Sequence, residues 1–208
     1  TVIKHSQGID ELSELADIII TDLARIINAP YGALYLTAMN LVKTEHEANT
    51  LILSGTFGIV KSKKLIQVFK FGEGMVGQCA QTKLPIILDE LPHDYVTVTS
   101  ALGTNTPKHL IIHPIIFEDR VVGVIELALF KACNKQENLA LSLISQSLGI
   151  IINNLSNNEK TKILLLESQK MSKELQRQQS GLKEANDSLE AKTSELQASE
   201  EELKKRAE

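Results

Sequence analysis

Leu110-Ile-Ile-His-Pro-Ile-Ile-Phe117 and Arg120-Val-Val-Gly-Val-Ile-Glu-Leu-Ala-Leu-Phe130, joined by Glu118-Asp119, are the stretch from which the fold is read. Two β-branched, apolar runs separated by two residues predict a tight hairpin, with Asp119 able to adopt positive φ. Both runs are nearly continuously apolar. An antiparallel strand with one wet face would alternate, so both faces of this hairpin are expected to be covered. Helices are expected on one face and a pocket border on the other.

Moving toward the N-terminus, Ile9, Leu12, Leu15, Ile19, Leu23, Ile26 and Ile27 recur at three- and four-residue intervals and predict an amphipathic helix. Asn28-Ala29-Pro30 ends it, because proline biases its predecessor away from helical backbone. Strands are expected over Tyr31–Leu36, Thr50–Phe57 and Leu65–Phe71, with a polar loop from Met39 to Asn49. Gly72-Glu-Gly-Met-Val-Gly77 reads as a turn into a short helix ending near Lys83. Leu84–Leu88 reads as extended. The stretch from Asp89 to Pro107 lacks periodicity and is expected to run over the surface with one or two helical turns. Segments of that kind are commonly functional.

Toward the C-terminus, Asn134-Lys-Gln-Glu137 has the spacing of a helix cap with a returning carboxylate. Leu141, Ile144, Leu148, Ile151 and Leu155 then form the expected inner stripe. Beyond Asn157 the composition turns to Glu, Lys, Gln, Ser and Leu, and Leu175, Leu182, Leu189, Leu196 and Leu203 fall seven apart. Such leucines predict a coiled coil. The other core layer, four residues before each leucine, is poor: Met171, Gln178, Ala185, Lys192 and Ser199. That makes the coil weak and favours low oligomeric states. The two stripes are one residue out of phase, so the seam is expected to drift or break near Ser156-Asn157-Asn158. The expected division is a domain over 1–155 and a signalling helix over 156–208.

Composition excludes several classes. The chain has 208 residues and a net charge of −4, so no basic stripe is available for nucleic acid. It has no Trp and 4% aromatics, too few for base-stacking platforms. Cys79 and Cys133 form no CxxC pair, which fits neither a disulfide framework nor a zinc site and suits a reducing cytoplasm. No signal peptide and no apolar run long enough to span a bilayer is read from the pattern. With no initial Met and an end inside a charged helix, the sequence is expected to be part of a longer protein.

Phe71-Gly-Glu-Gly-Met-Val-Gly-Gln-Cys-Ala80 resembles the central motif of GAF domains in multi-domain sensor kinases. The likeness continues in order through Leu84–Asp89, Asp94-Tyr95, Pro107, His113-Pro114 and Val122–Leu127, and covers about residues 8 to 155. The Gln/Glu/Leu-rich heptads resemble linkers preceding the dimerisation helix of histidine kinases. The resemblance implies an α+β fold: an antiparallel sheet of about six strands, terminal helices on one face, and a covered pocket on the other. A long C-terminal coiled-coil helix would follow. It further implies a parallel homodimer and a downstream kinase or other output domain. Asn134-Lys135 is followed by no Phe-x-x-x-Asp-Glu, and the cysteine context of bilin-binding photoreceptors is lacking, so cyclic GMP and bilin are disfavoured. No particular ligand is indicated.

The candidate pocket residues are Phe71, Met75, Cys79, Asp94, Tyr95 and His113; the candidate dimerisation residues are the five heptad leucines. Gly72, Gly74 and Gly77 read as a tight turn rather than a phosphate cradle, because no Lys-Ser/Thr follows. His109 and His113 share a strand face but would sit roughly 13 Å apart, too far to ligate one ion, so no metal is expected. Cys79 reads as a small packed apolar residue. Asp94 could cap a helical turn as readily as bind a ligand. The expected function is a non-catalytic sensory and dimerisation module. The alternatives are a ligand-free structural relay and a cysteine-dependent methionine sulfoxide reductase, which would require Cys79 to react.

Overall fold

The computed structural model describes residues 3–41, 48–59, 67–92, 97–100 and 103–207. Helix α1 (Ile3–Ile27) is followed by strands β1 (Tyr31–Thr37), β2 (Thr50–Phe57) and β3 (Val68–Lys70). Helix α2 (Gly74–Thr82) precedes β4 (Ile86–Asp89), β5 (Val98–Ser100), β6 (Gly103–Asn105), β7 (His109–Phe117) and β8 (Arg120–Leu129). Helix α3 (Lys135–Ala207) closes the chain. Six strands form one sheet in the order β3-β2-β1-β8-β7-β4, every neighbouring pair antiparallel.

The β7–β8 hairpin lies in the interior of this sheet. Glu118 and Asp119 both take positive φ, 44° and 64°, as a two-residue turn that follows the strand twist requires. Near the turn a bulge pairs Ile115 with Gly123 and Ile116 with Val121, so Val122 has no residue opposite it. Its carbonyl instead accepts from Asn40 Nδ2 (3.1 Å) and lies 3.4 Å from Thr37 Oγ1, and Asn40 also donates to Thr37. Ser156 on α3 completes the cluster by donating to the Asn40 carbonyl at 2.9 Å.

Both faces of the sheet are covered, as the continuous apolarity requires. One core lies between the sheet and the two long helices and contains Leu23, Ile27, Ile125, Leu127, Leu141 and Ile152. The other lies beneath α2 and contains Leu51, Val76, Cys79, Ile112 and Val124.

Four details depart from the sequence reading. On α1 the buried stripe runs through Leu12, Ala16, Ile20, Leu23, Ala24 and Ile27, while Ile26 is exposed. On α3 it runs through Leu141, Ser145, Leu148, Gly149, Ile152 and Ser156, and Ile151 is exposed. In both helices small or hydroxylated residues occupy inner positions where the sheet comes close, and a reading confined to large apolar residues passes over them. Between Asp89 and Pro107, the described residues contain no helical turn. They contain the β5–β6 hairpin, where β-branched Val98, Thr99 and Thr104 favour extended backbone. Finally, α3 includes an apolar window long enough to pass for a membrane span, although Leu141, Leu148 and Ile152 bury its inner face on the sheet.

The caps are those the sequence predicts. Asn134 and Glu137 exchange hydrogen bonds of 2.9 and 2.8 Å at the start of α3, and Asn28 leaves α1 at φ 55°. The chain divides into two compact units, Thr1–Lys160 and Thr161–Glu208. In the first, α3 stays helical through Ser156–Asn158; in the second, it carries Leu175, Leu182, Leu189 and Leu196 exposed. The side chain of Leu203 lies outside the described residues.

Candidate functional site

The α2 face of the sheet is the candidate site. Gly72 and Gly74 take positive φ, 84° and 60°, and turn the chain from β3 into α2. A Cβ on Gly77 would sit against the Lys70 carbonyl, so only glycine lets α2 lie this close to β3. Glu73 holds the turn by accepting from Lys70 N at 2.9 Å. Lys83 ends the helix in left-handed backbone, and its ammonium donates to the Asp119 carbonyl in the β7–β8 turn.

Of the residues expected to line a pocket, Phe71, Met75 and Cys79 come together here, packed on the core beneath α2. Cys79 is fully buried, and its Sγ donates to the Ile112 carbonyl at 3.6 Å. Burial pushes its thiol pKa up to about 12, which leaves roughly one part in 10⁵ as thiolate at pH 7. Cys133, half-buried, is also raised, by desolvation first and by Glu137 second. Native alkylation with iodoacetamide at pH 7 is therefore expected to modify Cys133 slowly and Cys79 only after denaturation. Mass spectrometry reads this directly, and early labelling of Cys79 would contradict its placement.

His113 does not share that face. It faces the helix side, with Nδ1 3.0 Å from the Pro114 carbonyl and Nε2 3.3 Å from Ser142 Oγ on α3. Desolvation lowers its pKa, so it is held neutral near pH 7. Close by, Ser145 Oγ is buried without a hydrogen-bond partner beside a 390 Å³ cleft. His109 pairs across the strands with Asp89 at 2.8 Å and does not converge with His113. Among the described residues no group of His, Cys, Asp or Glu is arranged to hold a metal. Asp94 and Tyr95 lie outside the described residues.

The sequence reading missed Glu126. It sits on β8, flanked on the same face by Val124 and Ala128, and its Oε2 accepts from the Tyr35 hydroxyl at 3.3 Å. Phe69 meets the Tyr35 ring edge-on at 5.6 Å. The side chain keeps some solvent access, but its carboxyl is surrounded by protein, and desolvation raises its pKa despite the opposing hydrogen bond. A carboxyl biased toward its neutral form can donate as well as accept. Together with Tyr35 it forms a polar pair on a face whose described core residues are mostly apolar. The signal was present: one acid in a ten-residue strand that is otherwise apolar or glycine after Arg120.

Because the folded carboxyl binds its proton more tightly than the unfolded one, Glu126 contributes stability that is complete below the usual value of 4.5. That contribution is lost as pH rises through the folded pKa. Glu126→Gln should remove this dependence, so that the variant gains stability over the parent chain at pH 7 but not at pH 4. Urea midpoints of both proteins at the two pH values check it; parallel shifts would contradict it.

A six-stranded antiparallel sheet between two terminal helices and a short helix opened by glycines defines a regulatory type of domain, of which this chain is a member. The GAF domain family model matches residues 10–153, and the chain belongs to that family. No curated protein matches it. Among solved structures it is similar to the GAF domain of a phosphoenolpyruvate-protein phosphotransferase from Coxiella burnetii, with 18% identity, 74% of this chain and 92% of that chain covered, and a TM-score of 0.55. It is also similar to the second GAF domain of DevS from Mycobacterium smegmatis (12% identity, 71% and 97% covered, TM-score 0.53). A type II free methionine-R-sulfoxide reductase from Thermoplasma acidophilum is similar as well (13% identity, 71% and 95% covered, TM-score 0.53). At these identities the likeness is one of fold.

Proposed function

We propose that this chain is a non-catalytic sensory and dimerisation module of a signal-transduction protein, relaying a small-ligand or conformational input through a parallel coiled coil to a downstream kinase. One observation carries the reading: α3 is a single 73-residue helix with two kinds of surface. Its first part buries Leu141, Leu148 and Ile152 on the sheet; its last part presents Leu175, Leu182, Leu189 and Leu196, seven residues apart and each more than half exposed. A leucine that stays exposed forgoes about 1.5–3 kcal/mol of burial, which pairing with a second copy recovers. The outer surfaces of α1 and α3 add exposed Ile18, Ile26, Leu143 and Ile150, suited to a helical bundle. The buried, protonated thiol of Cys79 supports a module without sulfoxide reductase chemistry. Close packing beneath α2, with Cys79, Ile112 and Val124 fully buried, favours the ligand-free relay as the second reading.

Spin labels test the geometry of pairing. In a Cys133→Ser background, Ser194→Cys is labelled and the label-to-label distance measured by pulsed dipolar spectroscopy. A parallel dimer brings the two labels within a helix-pair width, on the order of 10–20 Å. A separation of several tens of ångströms, or no dipolar coupling, overturns the parallel arrangement.

A further inference from the structure

A second cavity, of about 260 Å³, lies where α3 passes the β7–β8 turn. Its volume is near the lower limit of small-molecule sites, which run from about 300 Å³ upward. Three cations line it from three elements: Lys83 at the end of α2, Arg120 at the start of β8, and Lys160 on α3. Asp119 is the single acid among the described lining residues, which together carry a formal charge of +2 in a chain whose net charge is −4. Lys83 is tied to the Asp119 carbonyl. Arg120 and Lys160 have no acidic partner among the described residues. Like charges lining one cavity repel, and an anion placed among them removes that cost.

The rest of the lining suits an organic anion. Asn49 and Asn153 offer amide donors, and Phe71, Met39 and Val121 offer an apolar wall. The base is stiffened by the Thr37–Asn40–Ser156 hydrogen bonds around the Val122 carbonyl. We infer that this cavity binds a small organic oxyanion, with a phosphate or carboxylate head held by Arg120, Lys160 and Lys83 and a hydrophobic body against Phe71. The guanidinium fork of Arg120 matches two oxygens of such a head. The occupant would touch the hairpin turn and α3 at once, through Arg120 and Lys160. Binding would thus bias the position of α3 against the sheet, a consequence that rests on the sensory reading although the binding itself does not.

Calorimetric titration of the full chain at low salt, with phenyl phosphate, benzoate, inorganic phosphate and phenol, tests this. Phenyl phosphate or benzoate is expected to bind at millimolar concentration or below, more tightly than inorganic phosphate, and neutral phenol is expected to give no heat. Arg120→Gln and Lys160→Gln should each weaken the aromatic anion by about tenfold, with the circular dichroism spectrum unchanged. Phe71→Leu should weaken the aromatic anions and leave inorganic phosphate unaffected. The inference is overturned if no anion binds at millimolar concentration. It is equally overturned if an anion binds with affinity indifferent to both charge variants, which would put the anion elsewhere and leave the sensory reading standing. Failure of pairing in the spin-label experiment would remove the sensory reading and leave the anion site untouched.

Discussion

Gly55→Ala is expected to destabilise the domain by about 3 kcal/mol, the upper part of the usual range for overpacking. A Cβ at Gly55 would stand 2.5 Å from the carbonyl carbon and oxygen of Ala16 and 2.8 Å from Asp17 N. These are backbone atoms of α1, and no rotamer change moves them. The helix would have to lift from β2, weakening the 2.8 Å bond from Thr56 N to Asp17 Oδ1 and opening the core around Ile20 and Leu36. The intrinsic gain from replacing a strand glycine, about 0.5–1 kcal/mol, is too small to offset this. Gly181→Ala is the control. Nothing lies within 4 Å of a Cβ at Gly181, mid-helix in α3, so that change should stabilise the helix by up to about 1 kcal/mol. Urea unfolding of both variants reads the pair. A neutral Gly55→Ala would mean that α1 does not seat on β2 as described.

The other large effect concerns the heptads. Leu182 and Leu189 are 72% and 63% exposed, so neither contributes appreciably to the stability of the single chain. Replacing both with Asp should leave the thermal transition of the sheet domain nearly unchanged. In a dimer the same double change removes four buried leucines and opposes like charges in two layers, and pairing should weaken by at least about 100-fold. Sedimentation at several concentrations separates the two consequences. An unfolded domain, or undiminished pairing, would contradict the assignment of these leucines.

Much of this architecture was legible beforehand because the signals were strong and local. The β7–β8 hairpin, the Asn134–Glu137 cap and the glycine turn at 72–77 each depend on residues a few positions apart. The inner helix stripes were read less well, because what decides them is distant. Ala16 is buried because Gly55 lets β2 approach, and Ser156 because the bulge at Val122 leaves Asn40 in place to accept its hydroxyl. A hydropathy pattern contains neither partner. The candidate site was read partly for the same reason. Phe71, Met75 and Cys79 lie on one turn and helix and were found together, whereas His113, expected beside them, faces α3. Glu126 needed only the parity of β8 to be placed beside Tyr35, but an acid in an apolar strand stands out only when sought.

The mass of the unmodified full chain in solution, measured by light scattering over a dilution series, tests the central claim most directly. The account predicts a species of twice 22.9 kDa that dissociates on dilution, as a coil with a polar second layer should. A mass of 22.9 kDa at every concentration would contradict it.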